Sequence, residues 1–399
     1  MIRKLLVVGA VIASGGYARC QETLYWEASQ LQRCKAQMAA PSEDLETALR
    51  QLQINADKAM TEGPFSVTHK EMPPPSGDKH DYVSYARYWW PDRAKPDGLP
   101  YIRRDGESNY KLLANGDRGR FGSFVDAVRA LSLASYFFEE SRYGDRASEL
   151  IRVWFLEPET RMNPHLEYAQ GIPGKTDGRS LGVIDTRDFI TVLDAVALLG
   201  HRGMISQTDQ ERLKDWFSEF FVWLQKSKLG RGEAAAKNNH GTWYDAQAAR
   251  IALFVGDEDA ARRIVAYAAG ERIAEQFAAD GAQPDELSRS QTLHYTYFNL
   301  EGFSVIARLG EHLGIELWSE SSLGVGLEPG IRYVAPFTHS ERPWPHPQTH
   351  SFALSLGAQG LLRMASVRYG DPGLLAPIPH TKFGHLENEY TVLVFAAIE

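Results

Sequence analysis

From Phe121 towards the C-terminus the chain repeats one apolar rhythm. Hydrophobic residues recur three and four apart, interrupted by short joints that carry Gly or Pro. The rhythm predicts helices near 123–139, 143–155, 186–200, 207–226, 241–255, 258–278, 285–308 and 351–369. Val/Ile/Tyr alternation with hairpin turns is scarce, which argues against a large sheet. Many helices with short joints suggest stacked antiparallel pairs, and no fixed-period motif marks a solenoid. An all-α helical toroid without close internal repeats fits this pattern.

Other stretches depart from the rhythm. Residues 19–62 read as helical, with Leu45, Leu49 and Leu52 at helical spacing. Residues 63–122 hold Pro73-Pro74-Pro75, Gly77, Pro91, Pro96, Gly98 and Pro100 among Tyr82, Tyr85, Tyr88, Trp89, Trp90 and Tyr101. So many rings need something to pack on, so this is an ordered irregular segment rather than a linker. Long structured loops of this kind often carry function. Segments 157–185 and 321–350 also interrupt the helices and are expected at one end of the toroid. The apolar stretch Tyr390–Ile398 suits a last helix or a short strand.

Composition narrows the class. Apolar residues make up 43%, enough for a sizeable core. Lys+Arg is 43 against 51 for Asp+Glu, a formal charge of −8, with no long basic run. General nucleic-acid binding is disfavoured, although one basic cleft can hide inside a negative total. Two cysteines, Cys20 and Cys34, exclude a disulfide scaffold and a Cys₄ zinc site. A helix between them would hold them about 21 Å apart, so a disulfide requires a turn there.

Residues 1–18 read as a signal peptide: Arg3 and Lys4, an apolar run from Leu5 to Ala13, then Gly16-Tyr17-Ala18 with small residues at the −3 and −1 positions. No other stretch approaches about 20 uninterrupted apolar residues, so no membrane span is expected. The expectation is a periplasmic or secreted protein whose mature part, 19–399, is a single domain.

Familiar catalytic motifs fail on inspection. Gly174-Lys175-Thr176 resembles the end of a phosphate loop, but Ala169 stands where its first glycine belongs and Pro173 sits inside. His346 and His350 are four apart, but Pro345 and Pro347 argue against the helix that would join them on a metal. No Gly-x-Ser-x-Gly elbow occurs.

Three segments carry chemistry instead. Lys237-Asn238-Asn239-His240-Gly241-Thr242-Trp243-Tyr244 puts neutral donors and a titratable group at a helix start. The plain alternative is Asn238 as an N-cap and His240 as a structural histidine. Asp280-Gly281-Ala282-Gln283-Pro284-Asp285-Glu286-Leu287-Ser288-Arg289 turns into a helix that continues to His294, Tyr295 and Tyr297. On an ideal helix Arg289 and Tyr295 stand about 120° apart, so they converge only if the first turn is irregular. Tyr297 reads as a packing aromatic. Pro75-Ser76-Gly77-Asp78-Lys79-His80-Asp81-Tyr82, followed by Tyr88-Trp89-Trp90-Pro91, suits a sugar cleft: rings stack on sugar faces and cations meet carboxylates. A self-packed lid is its plain alternative.

Together with Asn163-Pro164-His165-Leu166-Glu167-Tyr168-Ala169-Gln170-Gly171, these segments resemble the alginate lyase superfamily of helical toroids. They look most like polysaccharide lyase family 38, which includes alginate and glucuronan lyases. The resemblance runs from about residue 50 to about residue 350. It implies an (α/α) toroid of six or seven helix pairs, whether or not the ring closes, and β-elimination without metal or cofactor. Carried over by residue, it points to Asn239, His240, Arg289 and Tyr295. We place the polymer against Lys79, His80, Tyr82, Asn163, Tyr168, Gln170, Asn238 and Trp243.

The chemistry is that of a uronate. Abstraction of the C5 proton, next to the carboxylate, builds an enolate-like dianion that must be neutralised. Asn239 is assigned to that task, with His240 or Arg289. A tyrosine base needs positive charge nearby, and Arg289 is the candidate. In D-mannuronate and D-glucuronate the C5 hydrogen and O4 leave on one side, so Tyr295 can serve as base and then acid. L-guluronate, the C5 epimer, needs a second base, and His240 is the candidate. The expected partner is an anionic polysaccharide. Two other readings remain: a hydrolase using carboxylates such as Asp245 and Asp285, and a non-catalytic polyuronate binder.

Overall fold

The computed structural model describes residues 22–319, 324–338, 342–352, 354–375 and 391–397. Residues 1–18, where a signal peptide is expected, and Cys20 lie outside the described residues. Two helices, α1 (Ala28–Gln37) and α2 (Glu43–Ala59), open this part. They are separate because Pro41 intervenes and Ser42 caps α2, its Oγ accepting the Leu45 N–H. The buried Cys34 thiol lies 3.5 Å from the Val392 carbonyl.

The main helices are α3 (Arg118–Phe138), α4 (Ser141–Phe155), α5 (Phe189–His201), α6 (Gln207–Lys226), α7 (Lys228–Ala234), α8 (Asn239–Val255), α9 (Glu258–Tyr267), α10 (Pro284–Leu287), α11 (Thr292–Leu313), α12 (Leu327–Thr338) and α13 (Leu356–Tyr369). Their sequences sort into two kinds. In α5 and α8 nearly every residue is buried, so these helices need protein on all sides. Helix α4 buries one stripe, Tyr143, Ala147, Leu150, Ile151 and Trp154, and keeps charged residues outside. Helices α6 and α9 are likewise one-sided.

Along the chain the kinds alternate: α3 inner, α4 outer, α5 inner, α6 outer, α8 inner, α9 outer, α11 inner. Each inner helix packs on the next, α3 on α5, α5 on α8 and α8 on α11, while α4, α6 and α9 back them. The result is an (α/α) toroid. No described helix is long and apolar enough to cross a membrane.

The ring is filled by aromatic packing: Phe189 meets Phe121 at 5.3 Å, Trp216 at 5.7 Å and Phe217 at 5.3 Å between ring centroids. Deeper still, the buried Asp194 carboxylate accepts the N–H groups of Leu24, Tyr25 and Trp26 and pairs with Arg250 at 3.0 Å. This fastens the N-terminal strip to the ring. The last described segment is a short helix, Thr391–Val394, whose Val394 carbonyl accepts the Glu27 N–H.

The aromatic-rich segment is ordered, as expected. Its strand β1 (Val83–Tyr85) pairs in parallel with β4 (Tyr168–Gly171), and β2 (Trp89–Trp90) pairs antiparallel with β3 (Ile102–Arg103). Buried Lys70 and Asp117 form an ion pair at 3.1 Å, and Asp117 also accepts the Val83 N–H. The expected helix 285–308 is two helices. The chain breaks at 288–291, where Gln291 bridges to Gln348 and the Thr292 N–H donates to the Pro347 carbonyl.

Candidate active site

All four inner helices begin at one cleft. Arg118 opens α3, Arg187 precedes α5, Asn239 opens α8, and Arg289 and Gln291 precede α11; all line a cavity of about 810 Å³. Aligned helix N-termini place positive dipole ends there, which favours an anionic occupant.

Asn238 caps α8, its Oδ1 accepting the His240 N–H at 3.2 Å. This is the plain alternative weighed for it, and Asn238 also lines the cleft. Asn239 is buried, and its Nδ2 donates to both Glu286 oxygens at 3.0 and 2.8 Å. Its backbone N–H donates to the same carboxylate at 2.7 Å. The amide expected to meet substrate is therefore already engaged, because a buried carboxylate demands donors. Burial pushes the Glu286 carboxyl up, and the bonds from Asn239 oppose that.

His240 is held through Nδ1 by Glu233 at 2.7 Å, which leaves Nε2 as its other polar edge. Glu233 is fully buried and burial raises its pKa, with His240 acting in the opposite sense. Gly241 follows because a Cβ there would meet the Ala236 carbonyl at 2.1 Å and the Arg272 guanidinium at 2.2 Å.

The break at 288–291 brings Arg289 back onto Tyr295, its guanidinium 4.0 Å from the ring centroid. The two converge despite their helical spacing because the first turn is irregular. The Tyr295 hydroxyl lies 3.0 Å from that of Tyr88. Burial, together with Tyr88, pushes the Tyr295 phenol well up, and Arg289 only partly opposes this. Arg289 acts in the expected direction, but desolvation wins, and the phenol stays protonated near neutral pH. Tyr297 is buried and stacks on Phe352 at 5.4 Å.

Gln170 lines the cleft with φ +50°, a left-handed conformation uncommon outside glycine. Its N–H donates to Ser84 Oγ at 2.8 Å and its Nε2 to Asp185 at 3.0 Å.

The other expected substrate contacts do not line this cavity. Lys79 is exposed, and its carbonyl accepts the Lys70 ammonium at 2.8 Å. His80 Nδ1 lies 2.6 Å from the Arg161 carbonyl. Asn163 Nδ2 donates to Asp78 and Asp81 at 3.0 and 2.7 Å. The first contact closes the loop on itself, and the other two tie it to the 161–163 segment. Tyr82 is fully buried against Phe121, and Tyr168 lies in β4 outside the cavity lining. Trp243 lines an adjoining cavity of about 410 Å³, its Nε1 donating to the Phe298 carbonyl at 3.0 Å. The carboxylates of the hydrolase reading do not face the cleft either: Asp245 is buried against Arg272, and Asp285 is exposed on α10.

Several lining residues escaped the sequence reading: Arg87, Tyr88, Arg118, Arg179 and Arg187, with Glu233 and Glu286 behind them. Glu286 and Tyr88 lay inside the quoted motifs. Glu233 left no signal except its place seven residues before His240.

The alginate lyase family model matches residues 66–344. An alginate lyase from Bacteroides ovatus is 35% identical, with a TM-score of 0.86 over 94% of this chain and 99% of that one. Alginate lyase A1-III from Sphingomonas species A1 is 16% identical, with a TM-score of 0.58 over 95% of this chain and 98% of its own. A variant of A1-III complexed with a tetrasaccharide gives a TM-score of 0.59 at 15% identity, over 96% of this chain and 98% of that one. No curated protein sequence matches the chain. The family match covers well over half of these 399 residues, and the Bacteroides enzyme is similar along almost the whole fold: this chain belongs to the alginate lyase family, and so to the polysaccharide lyases.

Proposed function

We propose that the enzyme cleaves 1,4-linked polyuronate, alginate with mannuronate-type linkages first and glucuronan second, by β-elimination. The observation that carries this reading is the meeting of the Tyr295 hydroxyl, a carboxylate-held His240 and Arg289 in one cation-rich cleft at four helix N-termini.

Arg289 neutralises the carboxylate beside C5 and lowers the cost of the enolate-like intermediate. Asn239 lines the same cleft, its amide held on Glu286 at the start of α8. Tyr295 removes the C5 proton as phenolate and returns it to O4 as phenol, which suits the syn geometry of mannuronate and glucuronate. His240, oriented by Glu233, serves as base for the opposite face of guluronate. The two uronates favoured here differ only at C2, which this catalytic set does not touch, so both remain substrates. The pattern in residues 1–18 supports export to the periplasm or beyond.

The test is ultraviolet absorbance during incubation with polymannuronate, polyguluronate and glucuronan in separate cuvettes. A rise marks the conjugated unsaturated uronate, with polymannuronate expected to outpace polyguluronate. New reducing ends without a rise would defeat the proposal. Because the phenol is raised, kcat/KM on polymannuronate should climb with pH from neutrality into the alkaline range. A profile that levels off near neutrality would move the base role to His240.

A further inference from the structure

Six arginines line the cleft, and three have a carboxylate of their own. Arg103 pairs with Asp105 at 2.6 Å, Arg118 with Asp185 at 3.1 Å and Arg187 with Asp188 at 3.4 Å. The other three, Arg87, Arg179 and Arg289, have no carboxylate within 4.0 Å among the described residues. Arg289 belongs to Tyr295. Arg87 reaches Ser108 Oγ at 3.4 Å.

Arg179 stands apart. It is half-buried, and one terminal nitrogen donates to Gln170 Oε1 at 2.7 Å. Its Nε is buried and has no hydrogen-bond partner. A desolvated cation with an idle donor is costly unless an anion completes it. Burial pulls its pKa down, and the carboxylates of Asp185 and Glu233 act on it only through space. Glu233 is also the anchor of His240, and Arg179 lines the same cleft as His240, Arg289 and Tyr295.

The loop holds Arg179 in place at some expense. Gln170, the group that grips the guanidinium, sits in its left-handed conformation because Ser84 and Asp185 fix its other two polar groups. Strain of this kind persists where a site over-determines it.

We propose that Arg179, positioned by Gln170, reads the carboxylate of a uronate next to the one being cleaved. This rests on the polyuronate lyase reading above. A polyuronate presents one carboxylate per sugar, and a planar guanidinium that lines the cleft without a carboxylate of its own suits one of them. Arg179 is then a specificity residue: it requires that the flanking sugar be acidic and that the chain be long enough to reach it.

The experiment compares wild type, Arg179→Gln and Arg179→Lys on mannuronate dimer, trimer, tetramer and polymer, with rates read by ultraviolet absorbance. Arg179→Gln should lose roughly 10- to 100-fold in kcat/KM on tetramer and polymer, mostly in KM, the range expected for one charge-assisted contact. The loss should vanish on the shortest oligomer still cut, and Arg179→Lys should recover part of it. A loss equal at every length, or a fall in kcat with a shifted pH profile, would overturn the proposal by showing that Arg179 acts through Glu233 and His240. Thermal melting of Arg179→Lys keeps the test readable if the Gln variant folds poorly. A wild type that gives no absorbance rise on polymer would defeat the lyase reading itself, which is a separate outcome.

Discussion

The mouth of the ring and its interior use the same residue types to opposite ends. Inside, arginines are matched: Arg250 with Asp194, which also gathers three backbone N–H groups, and Arg272 with Asp245. At the mouth, where the inner helices begin, Arg87, Arg179 and Arg289 have no matching carboxylate among the described residues. A buried pair closes its own electrostatics and leaves nothing for a ligand. An unmatched cation in a cleft is a request for an anion. The difference separates structural charge from functional charge without reference to any relative.

The sharpest way to break this comparison is at Tyr295. Tyr295→Phe keeps the ring under Arg289 and removes the hydroxyl. Turnover should fall roughly 10²- to 10⁴-fold, the range for a lost acid–base group, while equilibrium binding of mannuronate oligomers holds. Near-normal turnover would move the chemistry to His240.

Inside the ring the expected loss is in stability. Asp194→Ala leaves Arg250 buried and unpaired and frees three N–H groups, so unfolding in denaturant should show a loss of about 3–5 kcal/mol. Activity per folded molecule should be retained. A stable variant with impaired catalysis would contradict the division between mouth and interior.

Glu301 tests the border between the two, since it lines both the cleft and the adjoining cavity. Burial pushes its carboxyl up from 4.5 to about 7. The folded state therefore binds this proton more tightly than the unfolded state. Stability from this group is intact below about pH 4.5 and is lost as pH rises through 7, by up to about 3 kcal/mol. Glu301→Gln should remove that pH dependence. Parallel wild-type and variant stabilities between pH 5 and pH 8 would contradict it.

The smallest effect is expected at the loop that carries Lys79, outside the cavity lining. Lys79→Ala should change kcat/KM less than about twofold, since surface changes away from a site stay near ±0.5 kcal/mol. A tenfold loss would return Lys79 to the substrate path.

What was legible in the sequence follows the same division. Alternating all-round and one-sided apolar patterns are local, so most of the helices could be placed from them. Asn239, His240, Arg289 and Tyr295 were picked out by a family resemblance in their segments, and the structure brings all four to one cleft. Lys79, His80 and Asn163 looked like a cleft because a polar loop and a polar site have the same composition. Only the fold shows that their partners are Lys70, Arg161 and Asp78. Glu233 was invisible beside its alanines, since its meaning is one contact with His240. The break before α11 depends on Pro347 and Gln348, more than fifty residues away, which no local pattern carries.

The most direct test of the central claim is the mass of the products from a single mannuronate hexamer. Elimination predicts two fragments whose masses sum to that of the parent, one of them carrying the conjugated double bond, formed far more slowly by Tyr295→Phe. Fragments that sum to the parent plus one water would contradict the account and identify a hydrolase.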